Sequence, residues 1–333
     1  MKYPKISIVT PSFNQGKYIE QTIQSVINQN YPNLEYIIID GGSTDDTVDI
    51  IKKYEHKLAY WVSEKDQGQT DAINKGFSKC TGDIFNWINS DDYYVPGTLL
   101  KLGELFFNNP SVEVICGNEW YIDDINSDKK LLHAGSIINE NVYQTIREGI
   151  IVQPATFFRV VCIKNFFPLD NSLRYLMDRQ LWWSYLLQYG QKNILQTDKV
   201  LTNFRLHAAS KSVSEANYFE NEFDRLKLSL FQQLNAPEVL MDQLHKNVQP
   251  VDTKWSVINY SHNLILAAFS AYYAERKYIN DDLPGAAKLM KHVIGWKKLQ
   301  MNKNEWKLWI AANAVPHYFV SALKKIKKIV AFS

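Results

Sequence analysis

Two adjacent carboxylates, Asp91 and Asp92, close the stretch NWINSDD (86–92) just after an apolar run. Side by side they repel each other unless a cation or a proton intervenes. Hard divalent cations prefer carboxylate oxygens, and Mg²⁺ takes one or two of them together with substrate phosphates. The pair is therefore a candidate seat for Mg²⁺ or Mn²⁺ carrying a diphosphate, the metal offsetting charge on the departing group. The competing reading is a turn closed by Asp side chains. A third carboxylate, Asp178, lies among large apolar groups in LRYLMDRQLWW (173–183). Such surroundings raise a carboxyl pKa, as a general base requires; the alternative is an ion pair with Arg174 or Arg179.

The elements that must position these groups alternate. ISIVT (6–10), LEYIIID (34–40), LAYWVSE (58–64) and DIFNWI (83–88) read as strands, rich in β-branched and aromatic residues. Between them, residues 17–29, DTVDIIKKY and 68–80 carry helical spacing, with Ser43 or Thr44 a cap for the second. Strand–helix alternation predicts an α/β domain with a mostly parallel sheet. Ligands of such sheets bind beyond the carboxyl ends of the strands. Those ends carry Pro11, Ser12, Phe13 and Asn14, then Asp40, then SEKDQG (63–68) with Asp66, then Ser90, Asp91 and Asp92. Asp40 is placed to accept from a base or ribose, Phe13 to stack on a base, and Asp66, Asp71 and Asn74 to line the same cleft. For each, a plain turn, core or cap role is the alternative. No G-x-G-x-x-G follows the first strand, which argues against a dinucleotide-binding enzyme.

Further strands are expected in VEVICGNEWYID (112–123), ATFFRVVC (155–162) and KVLTNFRLH (199–207), the last ending in the cationic donors Arg205 and His207. RYLMDRQLWWSYLLQYG (174–190) reads as an aromatic-rich helix, and the chain turns helical after about residue 215. ILAAFSAYYAERKYINDDLPGAAKLMKHVI resembles a single tetratricopeptide-type hairpin, which cannot build a solenoid alone. Gln153, Arg174 and Trp182 are candidates for acceptor contact.

The 333 residues are 46% hydrophobic, enough for a sizeable core, with a net charge of only +2. Residues 286–333 hold ten Lys against one Glu, so the preceding chain is net acidic. A basic, aromatic-rich end, with Trp306, Trp309, Tyr318 and Phe319 beside Lys324, Lys325, Lys327 and Lys328, suits an anionic membrane surface. A helix packed on the domain with its Lys in water is the alternative, and the acidic body argues against nucleic acid. Three dispersed cysteines, Cys80, Cys116 and Cys162, suit a reducing cytoplasm. No secretory leader and no spanning helix are expected.

VTPSFNQGKYIEQTIQSVINQNYPNLEYIIIDGGSTDDT, SEKDQGQTDAINKGFSKCTGDIFNWINSDD, QPATFFR and YLMDRQLW, in this order, resemble the successive blocks of family two glycosyltransferases over about residues 4–210. The nearest likeness is to bacterial enzymes of O-antigen, capsule or exopolysaccharide repeat units. The resemblance implies a GT-A fold over 1–212, followed by a helical region, 213–333. It implies inverting transfer from a nucleotide sugar, with UDP favoured, to a lipid-linked or oligosaccharide hydroxyl at the inner face of the plasma membrane. It carries the metal motif onto Ser90, Asp91 and Asp92, with Asp92 the expected direct ligand, the base-binding carboxylate onto Asp40, and the catalytic base onto Asp178. Gln180 stands where members often have a second carboxylate, and Ile73 where many have Arg. The absence of QxxRW implies one sugar per acceptor. A sugar nucleotidyltransferase, or a non-catalytic carbohydrate- or membrane-binding module of related fold, are the rival readings.

Overall fold

The computed structural model describes residues 3–123, 134–207, 215–253, 255, 257–297 and 301–313. One curled sheet organises it, in the order β3-β2-β1-β4-β8-β6-β9-β5, with β7 (Ala134–Gly135) paired to β6. Its first half is the parallel set β1 (Ile6–Ser12), β2 (Leu34–Asp40), β3 (Tyr60–Ser63) and β4 (Ile84–Trp87). Helices α1 (Ile19–Ile27), α2 (Thr47–Lys53) and α3 (Gln69–Lys79) make the crossovers. Beyond β4 the sheet is mixed. β8 (Thr156–Arg159) runs antiparallel to both β4 and β6 (Val114–Asp123), while β9 (Ile194–Leu206) runs parallel to β6 and antiparallel to the short β5 (Tyr93–Tyr94). The four strands read from the first 90 residues are thus the parallel half, and the strands that follow mix directions.

Strand residues alternate between two apolar layers, as period-two side chains on a sheet covered on both faces must. Ile6, Ile8, Tyr36, Ile38 and Ile84 join Ile19, Ile23 and Val26 of α1 on one side. Val9, Ile37, Ile39, Phe85 and Trp87 join Ala72 and Ile73 of α3 on the other. Gly76 permits the close approach of α3, because a Cβ there would fall 2.4 Å from Val9 Cγ1. The helices after β4 are α4 (Thr98–Asn108), α5 (Val142–Glu148), the single turn α6 (Val160–Ile163) and α7 (Met177–Tyr189). The expected strand 155–162 therefore stops at Arg159, whose guanidinium donates to the carbonyls of Val112 and Phe106 and anchors that end. Val160–Ile163 turns helical despite its β-branched residues.

The remaining helices are α8 (Ala216–Gln233), α9 (Glu238–Met241), α10 (His262–Ile279), α11 (Leu283–Lys297) and α12 (Lys303–Asn313). They do not hang beside the sheet. Leu226, Leu230, Phe231, Phe269, Leu289 and Met290 share one apolar cluster with Trp182 and Trp183 of α7 and with Val9 and Trp87 of the sheet. α10 and α11 form the expected helical hairpin, with Ser261 capping α10 through Leu264 N–H. Among the described residues no helix is long and apolar enough to cross a membrane. Trp306 and Trp309 of the basic end pack edge to face on α12, whereas Tyr318, Phe319, Lys324, Lys325, Lys327 and Lys328 lie outside the described residues.

One buried carboxylate ties the open ends of β1, β2 and β4 together. Glu35 accepts from Lys5 Nζ at 2.6 Å, Ser7 Oγ at 2.5 Å and Thr81 N at 2.7 Å. Burial pushes its pKa up, but the bonds from Lys5, Ser7 and Thr81 outweigh that and hold it down at about 2. A lowered folded pKa contributes stability above the unfolded value near 4.3 and loses it as pH falls toward the folded one. Glu35→Gln should cost about 2 kcal/mol or more at neutral pH in denaturant titration, and the deficit should shrink between about pH 5 and pH 2.

Candidate active site

The order β3-β2-β1-β4 brings the four polar strand ends to one edge of the sheet, in the row Ser63, Asp40, Ser12 and Asn89–Asp92. The crevice lies between β1 and β4, where the chain's strand order reverses, the place at which open α/β sheets bind ligands.

The two carboxylates of the NSDD turn part company. Asp92 is 1% exposed and turned inward. Its Oδ1 accepts from Arg205 N at 2.9 Å, so the turn is fastened to β9. Burial, then the Asp91 charge beside it, raises the Asp92 pKa well above the ordinary carboxylate range against the Arg205 N–H bond. Asp91 faces the crevice, with Oδ2 3.1 Å from His207 Nε2. Thr22 of α1 holds the turn from below, its hydroxyl reaching the carbonyls of Ser90 (2.9 Å) and Asp92 (2.6 Å). The cationic donor Arg205 braces the turn: its guanidinium donates to Asp91 O and to Gln21 Oε1 and lies over the rings of Tyr18 and Tyr93. The His207 ring rests on Tyr18 at 4.6 Å between centroids.

Among the described residues no three His, Cys, Asp or Glu side chains converge as a self-contained metal site. Asp91 and His207 do converge, offering one carboxylate oxygen and one ring nitrogen. That donor pair fits a divalent ion that draws its other positions from diphosphate oxygens and water.

Along β1 and β2, Asp40 is fully buried, and its oxygens accept from Gly42 N, Ser43 N, Ser43 Oγ and Ser63 Oγ. It shapes the GGST turn and carries the geometry of the Asx-turn alternative. The Ser12 hydroxyl, in register with Asp40, is buried with no hydrogen-bond partner. Pro11 is buried in β1, while Phe13 stands 58% exposed beyond it. Asn14, at φ +51°, links the strand end to the next loop, accepting from Thr44 N and donating its own N–H to Ser43 Oγ. Asp66 packs over Gly41, next to Asp40. Burial, then the charges of Asp71 and Asp40, raise its pKa against the Gly68 N–H bond. Asp71 accepts from Gln67 N and pairs with Lys75, and Asn74 clamps Leu169 through both N–H and C=O. Asp40 and Asp66 therefore stand together at the cleft, while Asp71 and Asn74 serve α3 and its neighbour loop.

Asp178 is half-buried in the first turn of α7, its Oδ1 accepting from Arg179 N at 2.7 Å. Burial raises its pKa, opposed by the Arg179 charge and N–H. No ion pair ties it to either arginine among the described residues. The segment before it is held by a residue that the sequence reading missed. Glu222 of α8, buried, accepts from the backbone N–H groups of Arg174 (2.6 Å), Tyr175 (2.9 Å) and Leu176 (3.0 Å). Those bonds explain why α7 starts at Met177 rather than at Arg174. The other acceptor candidates divide: Arg174 is exposed, Gln153 spends both amide hydrogens on Asn86 Oδ1 and Trp87 O, and Trp182 is wholly buried between Phe158 and Tyr185. A Trp182 indole at that depth packs the core and is out of reach of a bound sugar.

Residues 7–167 match the family model "Glycosyl transferase family 2". An uncharacterized glycosyltransferase of Rickettsia prowazekii is 27% identical over 249 residues, 72% of this chain and 75% of that protein. The putative teichuronic acid biosynthesis glycosyltransferase TuaG of Bacillus subtilis is 32% identical over 134 residues, 39% of this chain and 53% of its own. Staphylococcus aureus TarS 1–349, solved with UDP-GlcNAc, shares the fold at TM-score 0.56 and 19% identity, covering 96% of this chain and 83% of that one. Over residues 7–167 the chain is similar to glycosyltransferase family 2, and it is a glycosyltransferase.

Removing the Glu222 carboxylate leaves three backbone N–H groups beside Asp178 without an acceptor. Glu222→Ala should cost about 2–3 kcal/mol in chemical denaturation. It should also speed amide hydrogen exchange at Tyr175 and Leu176 selectively, which mass spectrometry of exchanged peptides reads directly.

Proposed function

We propose that the protein transfers one hexose-type sugar per turnover from a UDP-sugar to an acceptor hydroxyl, with inversion at the anomeric carbon. The observation that carries this reading is the approach of Asp91 to His207 at the carboxyl edge, with Asp178 waiting in an apolar setting. Uridine is favoured by the nucleotide sugar in the TarS structure, at the level of a shared fold. The likeness to TuaG, a putative teichuronic acid biosynthesis enzyme, favours a bacterial surface polysaccharide, and the motif blocks favour a lipid-linked or oligosaccharide acceptor at the inner membrane face.

In this reading Phe13 stacks on the base, which its exposure allows. The Ser12 hydroxyl and Asp66 complete the nucleoside side, around a turn that Asp40 shapes. Asp91 and His207 would hold the cation, Mn²⁺ or Mg²⁺, and Asp92 would support them from behind, which reverses the division of roles expected from the motif. When bound, the metal would neutralise charge gathering on the leaving diphosphate. Asp178 takes the proton of the acceptor hydroxyl as its oxygen attacks the anomeric carbon from the side opposite the diphosphate. Arg205 and Thr22 keep the Asp91 turn in place so that no reorganisation is needed at the moment of reaction.

Asp178→Asn should lower turnover by about 10²–10⁴ while UDP binding persists. Because the base must be ionised and burial raises its pKa, wild-type kcat/KM should fall with acidification at a pH above the ordinary carboxylate range. A pH–rate profile falling only at ordinary carboxylate pH would refute the assignment. Asp91→Asn should reduce calorimetric UDP affinity in Mn²⁺ to its metal-free level. Equal Mn²⁺ dependence in the variant would remove Asp91 from the site.

A further inference from the structure

A second group of cations sits away from the strand ends. Arg147 of α5, Arg179 of α7 and Lys227 of α8 line one cavity of about 280 Å³ together with the Glu148 carboxylate, with Phe223, Phe269 and Tyr272 as its apolar wall. That is just below the roughly 300–1,000 Å³ of small-molecule sites, too small for a whole nucleotide sugar but ample for a phosphate and part of what it is attached to.

Two of the three cations have local counter-charges. Lys227 lies 2.7 Å from Asp224 and over the Phe223 ring, and Arg147 pairs with its neighbour Glu148. Among the described residues Arg179 makes no ion pair, and the charge that acts on it is that of Asp178 beside it. Its guanidinium donates to Gly149 O and lies over Phe223 at 5.2 Å, while the adjacent Asp178 carboxylate turns to the Arg179 backbone N–H instead. The Nε atoms of both Arg147 and Arg179 are buried with no hydrogen-bond partner. Native interiors leave few such donors empty, and a buried cation is costly unless it is closely paired and hydrogen-bonded. Arg179 also stands in the first turn of α7, where the helix dipole disfavours a positive charge. Burial accordingly pulls the pKa values of Arg179, Arg147 and Lys227 below their usual ranges. An anion in the cavity would relieve all of these at once, and guanidinium forks match phosphate oxygens in shape.

We propose that this cavity is a phosphate site, and that its phosphate is an ester group of the acceptor. This rests on the reading of Asp178 as the acceptor's base. Arg179 follows Asp178 in the chain, with Cα atoms about 3.8 Å apart. In this proposal an acceptor whose hydroxyl reaches Asp178 sets its phosphate on the adjacent Arg179. The donor's diphosphate belongs on the other side, at Asp91 and His207. The aromatic wall suits the organic body of a phosphate ester and gives a free inorganic ion nothing.

The test is calorimetric titration of the full chain with inorganic phosphate and with phenyl phosphate, each with and without saturating UDP and Mn²⁺. Wild type should bind phenyl phosphate more tightly than inorganic phosphate, and UDP should not displace it. Arg179→Gln and Arg147→Gln should each weaken phenyl phosphate by about tenfold or more while UDP affinity stays unchanged. Retained UDP binding also certifies that a variant is folded, and Arg147→Gln carries the test if Arg179→Gln does not fold. Equal phenyl phosphate affinity in wild type and the folded variants would overturn the site. Inorganic phosphate binding as tightly as phenyl phosphate would overturn its assignment to the acceptor. Displacement of phenyl phosphate by UDP would place it in the donor crevice and likewise overturn the proposal. Failure of the wild type to bind UDP at all would count against the donor reading alone, since the titration without nucleotide reads the cavity independently.

Discussion

The arrangement at the crevice depends on one buried carboxylate. Asp92 cannot face water, and its Oδ1 is bonded to the backbone N–H of Arg205. That bond joins the turn after β4 to the end of β9, elements more than a hundred residues apart in sequence. The neighbouring Asp91 stays partly exposed, with 21% of its side chain in solvent. The same bond brings His207, two residues beyond Arg205, to Asp91 Oδ2. The side chain of Arg205, stacked on Tyr18 and Tyr93, locks the junction. A carboxylate and an imidazole thereby meet at the sheet's switch point by the geometry of the backbone.

The other half of the site is built from α7 and what packs on it. Its residues Trp182, Trp183, Tyr185 and Leu186 are fully buried, and helices from far down the chain complete their surroundings. Glu222 reaches back from α8 to hold the three residues before α7, and so fixes where Asp178 emerges. The C-terminal helices are thus part of the scaffold that aims Asp178. They also supply Lys227, Phe223, Phe269 and Tyr272 to the cationic cavity beside it.

The parallel half of the sheet and its polar strand ends were legible in the chain, because β-branched runs between Gly, Pro and Asp turns leave few other folds. The glycosyltransferase class was legible from the order of the motif blocks. What each carboxylate does was less so. Asp91 and Asp92 are adjacent and chemically alike, and the distant Arg205 N–H and His207 ring set their surroundings apart. Asp40 shows as a polar strand end, yet its donors, Ser43 and Ser63, lie on a turn and on a neighbouring strand. β9 begins five residues before the expected strand, because its first half is largely solvent-facing and carries little apolar signal. Trp182 looked like an acceptor platform because an aromatic-rich helix gives no clue to which face is covered. Glu222 did leave a trace: it sits on the stripe Phe219, Phe223, Leu226, Leu230 of α8, where a carboxylate is out of place unless it has backbone donors to satisfy.

The most direct measurement is the position of Mn²⁺ by anomalous scattering in crystals of the protein grown with UDP. The account expects the ion within roughly 2.0–2.6 Å of an Asp91 carboxylate oxygen and of His207 Nε2, with Asp92 still bonded to Arg205 N. An ion held by Asp92, with Asp91 and His207 turned away, would contradict it.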